Sequence, residues 1–222
     1  MTSSIPGLST KLTPIYPSSS SEEEEEESAT TKSLISCLAL QTHIEGGYFA
    51  ELDRNPLLIP NPFLESNANE QGEANSERTA EKPSSGDNAV RNASTSIYYL
   101  LSRGQPMGRF HRNKARTIHT LISGRGRYVL IHADEPGTPK RVESFVVGMD
   151  FAAGEKSVWV VEGGKYKASF LLEGAEGERL LVSETVIPGF EYSDHDFLTL
   201  EAFRKIVSPE QAEELEWLVR KS

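Results

Sequence analysis

Short runs of β-branched and aromatic residues alternate with turns over the second half of the chain. The runs cover residues 94–101, 117–122, 127–132, 142–147, 157–161, 167–172 and 180–187. Glycine-containing or polar segments separate them, as in Ser123-Gly124-Arg125-Gly126. Because no helical stretch interrupts the series, the pattern predicts an all-β sandwich or barrel and argues against a parallel α/β sheet.

Helical patterns flank this series. Leu34, Ile35 and Leu38 have the spacing of a short amphipathic helix. Near the other end, Ser208-Pro209-Glu210-Gln211 combines a capping serine, a proline at the first helical position and a glutamine three residues after the cap. The apolar residues that follow form one helical face, which we expect to pack against the barrel; a docking face for a partner helix is the alternative.

Two segments lack such periodicity. Residues 1–30 are rich in Ser, Thr, Pro and Glu and include six consecutive glutamates, so we predict a disordered acidic tail followed by one domain over residues 31–222. Residues 55–92 contain few apolar residues and interrupt that domain as a low-complexity insertion. Because it has few apolar anchors, we interpret the insertion as an uncovered loop rather than a lid over a pocket.

Charge and cysteine content narrow the function class. The formal net charge of −10 is concentrated in the two segments just described, and no basic stripe with interleaved aromatic residues occurs, so we expect no nucleic-acid partner. Cys37 is the only cysteine, which favours a reducing compartment. With no apolar run suited to secretion or to a membrane span, the prediction is an intracellular, cytoplasmic protein without a membrane partner; the nucleus stays open.

Three motifs occur in a characteristic order. They are His43-Ile44-Glu45-Gly46-Gly47-Tyr48-Phe49, then residues 94–101 with Phe110-His111-Arg112, then Val186-Ile187-Pro188-Gly189-Phe190-Glu191-Tyr192. Together they resemble the type-five cupin family, a group long described as a domain of unknown function. The resemblance implies an RmlC-like jelly roll, that is, a double-stranded β-helix with short flanking N- and C-terminal helices. It also implies a barrel interior that accommodates a small-molecule ligand, and commonly a homodimer.

The same resemblance bears on metal binding. Cupins often hold a metal through H-x-H-x₃₋₄-E and a later histidine, because alternate strand positions direct several ligands to one face. The corresponding positions here are His111, Asn113, Thr117 and Tyr166. Since only His111 is a strong ligand for a transition metal, we predict no metal site and no cofactor.

Strand parity nevertheless predicts a pocket. His111 and Asn113 share one face of their strand, and Thr117 and His119 share one face of the next strand. We expect both of these faces to point into the barrel, so that all four side chains face the interior. The predicted ligand-binding residues are Tyr98, His111, Asn113, Thr117, His119 and Tyr166, with Tyr166 expected across the barrel and Tyr98 nearby. His111, His119 and Tyr166 are the candidates for acid–base catalysis. His43 and His195 are expected in loops, in solvent-exposed or structural roles.

Three functions remain open from the sequence. The first is a cupin that binds a small, partly polar metabolite, with metal-independent isomerisation or epimerisation of a sugar-like or carbonyl compound as its chemistry. The second is a non-catalytic binding or interaction protein. The third is a metal-dependent cupin oxygenase, which the missing ligands disfavour.

Overall fold

The computed structural model describes residues 2–16, 27–64, 76–172 and 178–221. The strands of this part of the chain are β1 (Gln41–Thr42), β2 (Tyr48–Arg54), β3 (Leu58–Pro60), β4 (Ser76–Arg78), β5 (Val90–Asn92), β6 (Thr95–Ser102), β7 (Met107–Asn113), β8 (Arg116–Gly124), β9 (Gly126–Ile131), β10 (Val142–Val147), β11 (Val158–Val161), β12 (Tyr166–Leu171), β13 (Arg179–Ile187) and β14 (His195–Leu198). The helices are α1 (Ala29–Cys37), α2 (Leu200–Ile206) and α3 (Pro209–Leu215), with short 3-10 turns at Phe151–Ala153, Tyr192–Asp194 and Glu216–Leu218.

Two six-stranded sheets form the barrel. The first has the order β1-β2-β6-β13-β8-β11, and the second has the order β10-β9-β12-β7-β14-β4. Neighbouring strands in both sheets are antiparallel, and strands that are distant in sequence lie side by side, as β6 and β13 do. This arrangement confirms the predicted all-β jelly roll with short helices near the termini.

The alternation of side chains along each strand separates three apolar clusters. Ile97 and Tyr99 of β6 face the barrel interior with residues of both sheets, whereas Tyr98 between them faces outward against a cluster that includes residues of α1. A third cluster covers the outer face of the second sheet and includes residues of α2, α3 and the N-terminal segment. Both outer faces are therefore partly covered, which explains why these strands are rich in apolar residues on both sides.

The C-terminal helix forms as its sequence predicts. The Ser208 hydroxyl accepts from the Gln211 backbone, and the Gln211 side chain accepts from the Ser208 backbone, which completes the capping box. Leu215 and Leu218 are fully buried, and Trp217 packs edge-to-face on Phe170 of β12. The expectation that this face packs against the barrel is confirmed.

Residues 2–16 do not behave as the disordered tail that their composition predicts. Ile5 is 2% exposed and lies in the outer cluster of the second sheet. The Glu214 carboxylate accepts from the Ser3 hydroxyl, the Ser4 backbone and the Leu12 backbone at 2.7 to 2.8 Å. Burial of a few apolar side chains and one shared acceptor therefore fix a segment that is otherwise poor in apolar residues. Residues 17–26, with most of the glutamate run, lie outside the described residues.

The insertion at 55–92 also differs from the expected uncovered loop. β3 pairs with β5, and β4 adds to the edge of the second sheet beside β14. Arg91, 2% exposed, makes two hydrogen bonds to the buried Asp194 carboxylate at 2.6 and 3.0 Å. Polar anchors therefore hold a segment that has few apolar ones. Residues 65–75 lie outside the described part.

Within the described ranges, none of the helices has the length and apolar character needed to cross a bilayer.

Candidate functional site

A cavity of about 200 Å³ opens into the barrel. Aromatic and aliphatic side chains form part of its wall, including Phe49, Phe190 and Tyr192. Ionisable and polar groups line the rest, among them Glu45, Asn113, Lys167 and Glu184. Apolar walls with a few convergent polar groups are typical of a site for a small organic ligand.

Lys167 is the centre of the first polar cluster. It lies on β12, where alternation with Tyr166 and Ala168 directs its side chain into the barrel. Its Nζ lies 2.7 Å from Glu184 Oε2 and 3.0 Å from His119 Nε2. All three side chains are buried, and the His119 ring stacks on Trp159 with ring centroids 4.9 Å apart.

The charges of this cluster balance. Burial opposes ionisation of Glu184, but Lys167 and then His119 hold the pKa of its carboxyl below the usual range. Burial lowers the pKa of His119, and the nearby Lys167 ammonium adds to this effect against the opposing influence of Glu184. At neutral pH the cluster therefore pairs one carboxylate with one ammonium group, and neutral His119 accepts a hydrogen bond from the ammonium.

Glu45 is the centre of the second cluster, and the glycine pair of its motif explains its position. Gly46 has a φ of +101°, and a Cβ there would lie 2.1 Å from the Met107 carbonyl oxygen. The Tyr99 hydroxyl donates to the Gly46 carbonyl at 2.9 Å, and the Arg109 backbone donates to the Glu45 carbonyl at 2.7 Å. A turn that only glycine permits thus allows this segment to pack closely against β7, with the Glu45 side chain inside the barrel.

Three imidazoles surround the Glu45 carboxylate. Its Oε1 lies 2.9 Å from His195 Nε2, and its Oε2 lies 3.2 Å from His111 Nε2 and 3.5 Å from His43 Nδ1. The rings of His111 and His195 stack with centroids 5.3 Å apart. Glu45, His111 and His195 each offer one potential metal-ligating atom, and these atoms all lie within 4.8 Å of one another.

The pKa values of Glu45 and His111 are both lowered, which favours the charged form of Glu45 and the neutral form of His111. Burial opposes ionisation of Glu45, yet the surrounding His111, His43 and His195 hold the pKa of its carboxyl well below the ordinary value. Burial lowers the pKa of His111 to about 3, despite the nearby Glu45 carboxylate. At neutral pH an ionised Glu45 therefore lies next to a neutral His111.

The two clusters are neighbours. Lys167 of β12 is the register partner of His111 on β7, which places one member of each cluster side by side. Electrostatic coupling is consistent with this proximity, since Lys167 lowers the pKa of His111 and Glu45 raises that of Glu184.

Residues of the insertion contact the site. The Thr79 hydroxyl lies 2.6 Å from His195 Nδ1. The Ser84 backbone and hydroxyl donate to the Glu191 carboxylate at 2.8 and 2.9 Å, and Arg54 donates to the same group at 3.3 Å. Ser84 and Glu191 both line the cavity, so part of the insertion contributes to its wall.

Strand parity predicts the orientation of four of the expected residues. His111, Thr117 and His119 are buried, and Asn113 lines the cavity with its amide 3.5 Å from the Thr117 hydroxyl. The structure divides these residues between different neighbours, since His111 belongs to the Glu45 cluster and His119 to the Lys167 cluster. Their part in ligand binding or catalysis remains a prediction.

Tyr166 and Tyr98 do not face the interior, so the predicted placement of both is wrong. Tyr166 lies in the outer cluster of the second sheet, and Tyr98 packs in the outer cluster under α1. For β12, the alignment to the cupin motif is out of register by one residue, which moves every side chain to the opposite face. Lys167, not Tyr166, occupies the interior position.

Four interior residues are absent from the set that the sequence predicts: Glu45, Lys167, Glu184 and His195. Glu45 lies in the motif at residues 43–49, so its family resemblance was the available signal. His195 approaches Glu45 from 150 residues away, which is a tertiary contact that no local pattern reports. The expectation that His195 has a loop position is wrong, because it begins β14 and is 1% exposed.

Two facing antiparallel sheets that enclose a pocket of converging polar side chains define a jelly-roll barrel of the cupin class. The family model described as Cupin superfamily (DUF985) matches residues 32–198, and the chain belongs to this family.

Relatives of known sequence or structure agree with this assignment. The chain is 43% identical over 189 residues to the uncharacterized protein YML079W of Saccharomyces cerevisiae, and the match covers 84% of this chain and 85% of that protein. A hypothetical protein from Leishmania major has a TM-score of 0.64 at 23% identity, covering 86% of this chain and 98% of its own. Protein SO0799 from Shewanella oneidensis has a TM-score of 0.62 at 24% identity with the same coverage of both chains. These two structures support the fold alone.

Proposed function

We propose that the protein binds a small, oxygen-rich carbonyl metabolite in its barrel and isomerises it by proton transfer. The observation that carries the proposal is the Lys167–Glu184 pair, an ammonium and a carboxylate 2.7 Å apart that both line the cavity. An acid and a base side by side in a water-poor pocket are suited to moving a proton between adjacent atoms of a bound ligand.

In this proposal, Glu184 is the base that moves the proton and Lys167 is the hydrogen-bond donor that stabilises the negative charge. The Glu184 carboxylate removes the proton from the hydroxyl-bearing carbon next to the carbonyl. The electron pair of that C–H bond forms a carbon–carbon double bond, and the π pair of the carbonyl moves to its oxygen, which gives an enediolate. The Lys167 ammonium donates a hydrogen bond to the oxygen as negative charge develops there. The proton of the neighbouring hydroxyl passes to the former carbonyl oxygen, and Glu184 returns the first proton to the former carbonyl carbon. The double bond then shifts to the neighbouring carbon and its oxygen, which interconverts an aldose-like and a ketose-like compound. Epimerisation requires a second acid on the opposite side of the ligand, so isomerisation is the better fit.

This assignment changes the catalytic residues that the sequence predicts. His119 contacts Lys167 and acts as a positioning residue for its ammonium. Tyr166, on the outer face of β12, has no part in the scheme. Phe190 and Tyr192 supply an aromatic wall against which the carbon face of a sugar-like ligand can pack.

One observation favours the non-catalytic alternative. Lys167 already neutralises Glu184, and the lowered pKa of that carboxyl makes it a weak base before a ligand binds. A ligand oxygen that competes for the Lys167 ammonium would have to release Glu184 from this pair. Without such release, the pocket binds the ligand and leaves it unchanged.

Deuterium exchange separates these alternatives. We would incubate the protein with four- to six-carbon aldoses and ketoses in D₂O and follow loss of the proton signal next to the carbonyl by NMR. Exchange in the wild type, its loss in Lys167→Met and its retention in the control Lys205→Met, at an exposed helix position, are the expected results. Thermal stabilisation by a sugar without exchange would identify a binding protein instead.

The homodimer and the cytoplasmic location remain predictions. Val158, Val160 and Ile122 are exposed on the outer face of β11 and β8, where a second copy of the chain could pack.

A further inference from the structure

We infer that Glu45, His111 and His195 form a binding site for a divalent first-row transition-metal ion. Their ligating atoms lie within 4.8 Å of one another, and all three residues are buried. Only His111 coincides with a position at which the cupin motif places a ligand. Glu45 comes from the turn before β2 and His195 from β14, so this chain assembles a different ligand set around the same barrel.

The hydrogen bonding of His111 supports the inference. Its Nδ1 lies 2.8 Å from the Arg109 carbonyl oxygen, which can only accept, so Nδ1 carries the hydrogen. In the neutral ring, Nε2 is then a lone pair. It is fully buried and has no hydrogen-bond partner, although Glu45 Oε2 lies 3.2 Å away. This nitrogen therefore lies next to a carboxylate and makes no hydrogen bond that a metal ion would have to displace.

His195 is oriented in a compatible way. Its Nδ1 lies 2.6 Å from the Thr79 hydroxyl, and its Nε2 lies 2.9 Å from Glu45 Oε1. A hydroxyl can accept a hydrogen bond from Nδ1 as readily as it can donate one, so Nε2 is free to present its lone pair without movement of any heavy atom. Metal-ligating histidines usually have such a partner on the second ring nitrogen.

The charge around Glu45 supports the same conclusion. In the described part of the chain, the ion-pair partners of Glu45 are His43, His111 and His195. The nearby Lys167 forms its ion pair with Glu184 instead. A buried carboxylate without an ammonium or guanidinium partner is costly, and a divalent cation supplies the missing positive charge.

The ligand types select the metal class. Two imidazole nitrogens and one carboxylate suit Mn²⁺, Fe²⁺, Co²⁺, Ni²⁺ or Zn²⁺, whereas Mg²⁺ and Ca²⁺ prefer all-oxygen sites. Glu45 Oε1 lies 2.9 Å from His195 Nε2, and Glu45 Oε2 lies 3.2 Å from His111 Nε2. Both are close to the roughly 3 Å between neighbouring ligands whose bonds are about 2.0 to 2.2 Å long, so a carboxylate that binds through both oxygens fits. Three protein ligands leave positions open, and Glu45 lines the cavity. The site does not depend on the proposed isomerisation.

Direct metal binding tests the inference without any substrate. The full chain, purified without an affinity tag and stripped with a chelator, is titrated with Co²⁺ and with Zn²⁺ by absorption spectroscopy and calorimetry. We expect one ion per chain, visible cobalt d–d bands, and binding weakened by more than about a hundredfold in His111→Gln and in His195→Gln. The matched control is His132→Gln, a buried histidine outside the cluster, which should bind as the wild type does.

Several results would overturn the site. They are absence of binding by the wild type, unchanged binding in His111→Gln, and an equal loss in His132→Gln. Circular dichroism and thermal unfolding check that each variant folds, and Glu45→Gln, which has nearly the same shape, is the replacement if a histidine variant does not. Lys167→Met should retain the metal, so loss of sugar exchange in that variant with intact metal binding would separate the two proposals.

Discussion

Inside one barrel, Lys167 and Glu184 neutralise each other at 2.7 Å, whereas Glu45 is surrounded by the imidazoles of His43, His111 and His195. The first cluster holds its own cation, and His119 accepts a further hydrogen bond of the ammonium. Each cluster contains a buried imidazole nitrogen without a hydrogen-bond partner, His119 Nδ1 in the first and His111 Nε2 in the second, and His111 Nε2 lies 3.2 Å from the Glu45 carboxylate. The difference teaches that burial alone does not define a site: the first cluster contains its own ammonium group, whereas the second gains a cation when it binds a metal ion.

Removing the Lys167 ammonium should have the largest effect on the free energy of unfolding. Lys167→Met leaves the Glu184 carboxylate buried without its partner, so we expect a loss of about 3 to 5 kcal/mol in the free energy of unfolding. Urea denaturation at neutral pH measures this loss. Lys205→Met, at an exposed position, should change the stability by no more than about 0.5 kcal/mol.

The double variant Lys167→Met with Glu184→Gln sharpens the result. Because it removes both charges together, it should recover most of the stability lost in Lys167→Met. A double variant as unstable as the single one would mean that packing of the lysine side chain, and not charge balance, stabilises this cluster.

In the Glu45 cluster, metal affinity should depend on Thr79, which contacts the second ring nitrogen of His195. Thr79→Val removes the hydroxyl next to His195 Nδ1, and we expect metal affinity to fall by about ten- to a hundredfold, because this partner fixes the ring orientation. Stability without metal should fall by only about 1 kcal/mol. Calorimetric titration with Zn²⁺ measures the affinity, with Ser85→Ala on the same segment as control; equal affinity in both variants would contradict the role of Thr79.

The smallest expected effect is the contribution of His119 to the pH dependence of the free energy of unfolding. Its pKa is lowered in the folded protein, mainly by burial, so below about pH 6.5 the unfolded chain binds a proton that the folded protein rejects. Stability from this residue is therefore present above about pH 6.5 and is lost as the pH falls, by up to about 1.4 kcal/mol per pH unit. In chelator-treated protein, His119→Gln should have a shallower slope than the wild type in urea denaturation between about pH 5 and 6.5. Parallel slopes would argue against a neutral buried His119.

Much of the fold follows from local patterns. The series of short strands and the capping box at Ser208 both follow from the sequence. The ordered conformation of residues 2–16 and of the described part of the insertion cannot be predicted from local patterns. Glu214 and Asp194 hold these segments by polar contacts that span more than 100 residues of sequence. Composition reports few apolar residues there and contains no information on such partners.

The site was predictable to a smaller extent. Parity directs His111 and His119 inward, and both side chains are buried in the structure. It fails at β12, where a motif match out of register by one residue selected Tyr166 in place of Lys167. The meeting of Glu45 with His195 depends on how β14 returns to the barrel, and this contact exists only in the folded chain.

Strand β4 of the insertion affects whether another molecule can pair with the edge of the second sheet. This strand pairs with β14 and closes the edge of the second sheet with only three residues. A chain trimmed of residues 55–92 as dispensable would leave the backbone of β14 open to pairing with another molecule and Asp194 without Arg91. A segment of loop-like composition therefore covers a strand edge to which another molecule could otherwise add.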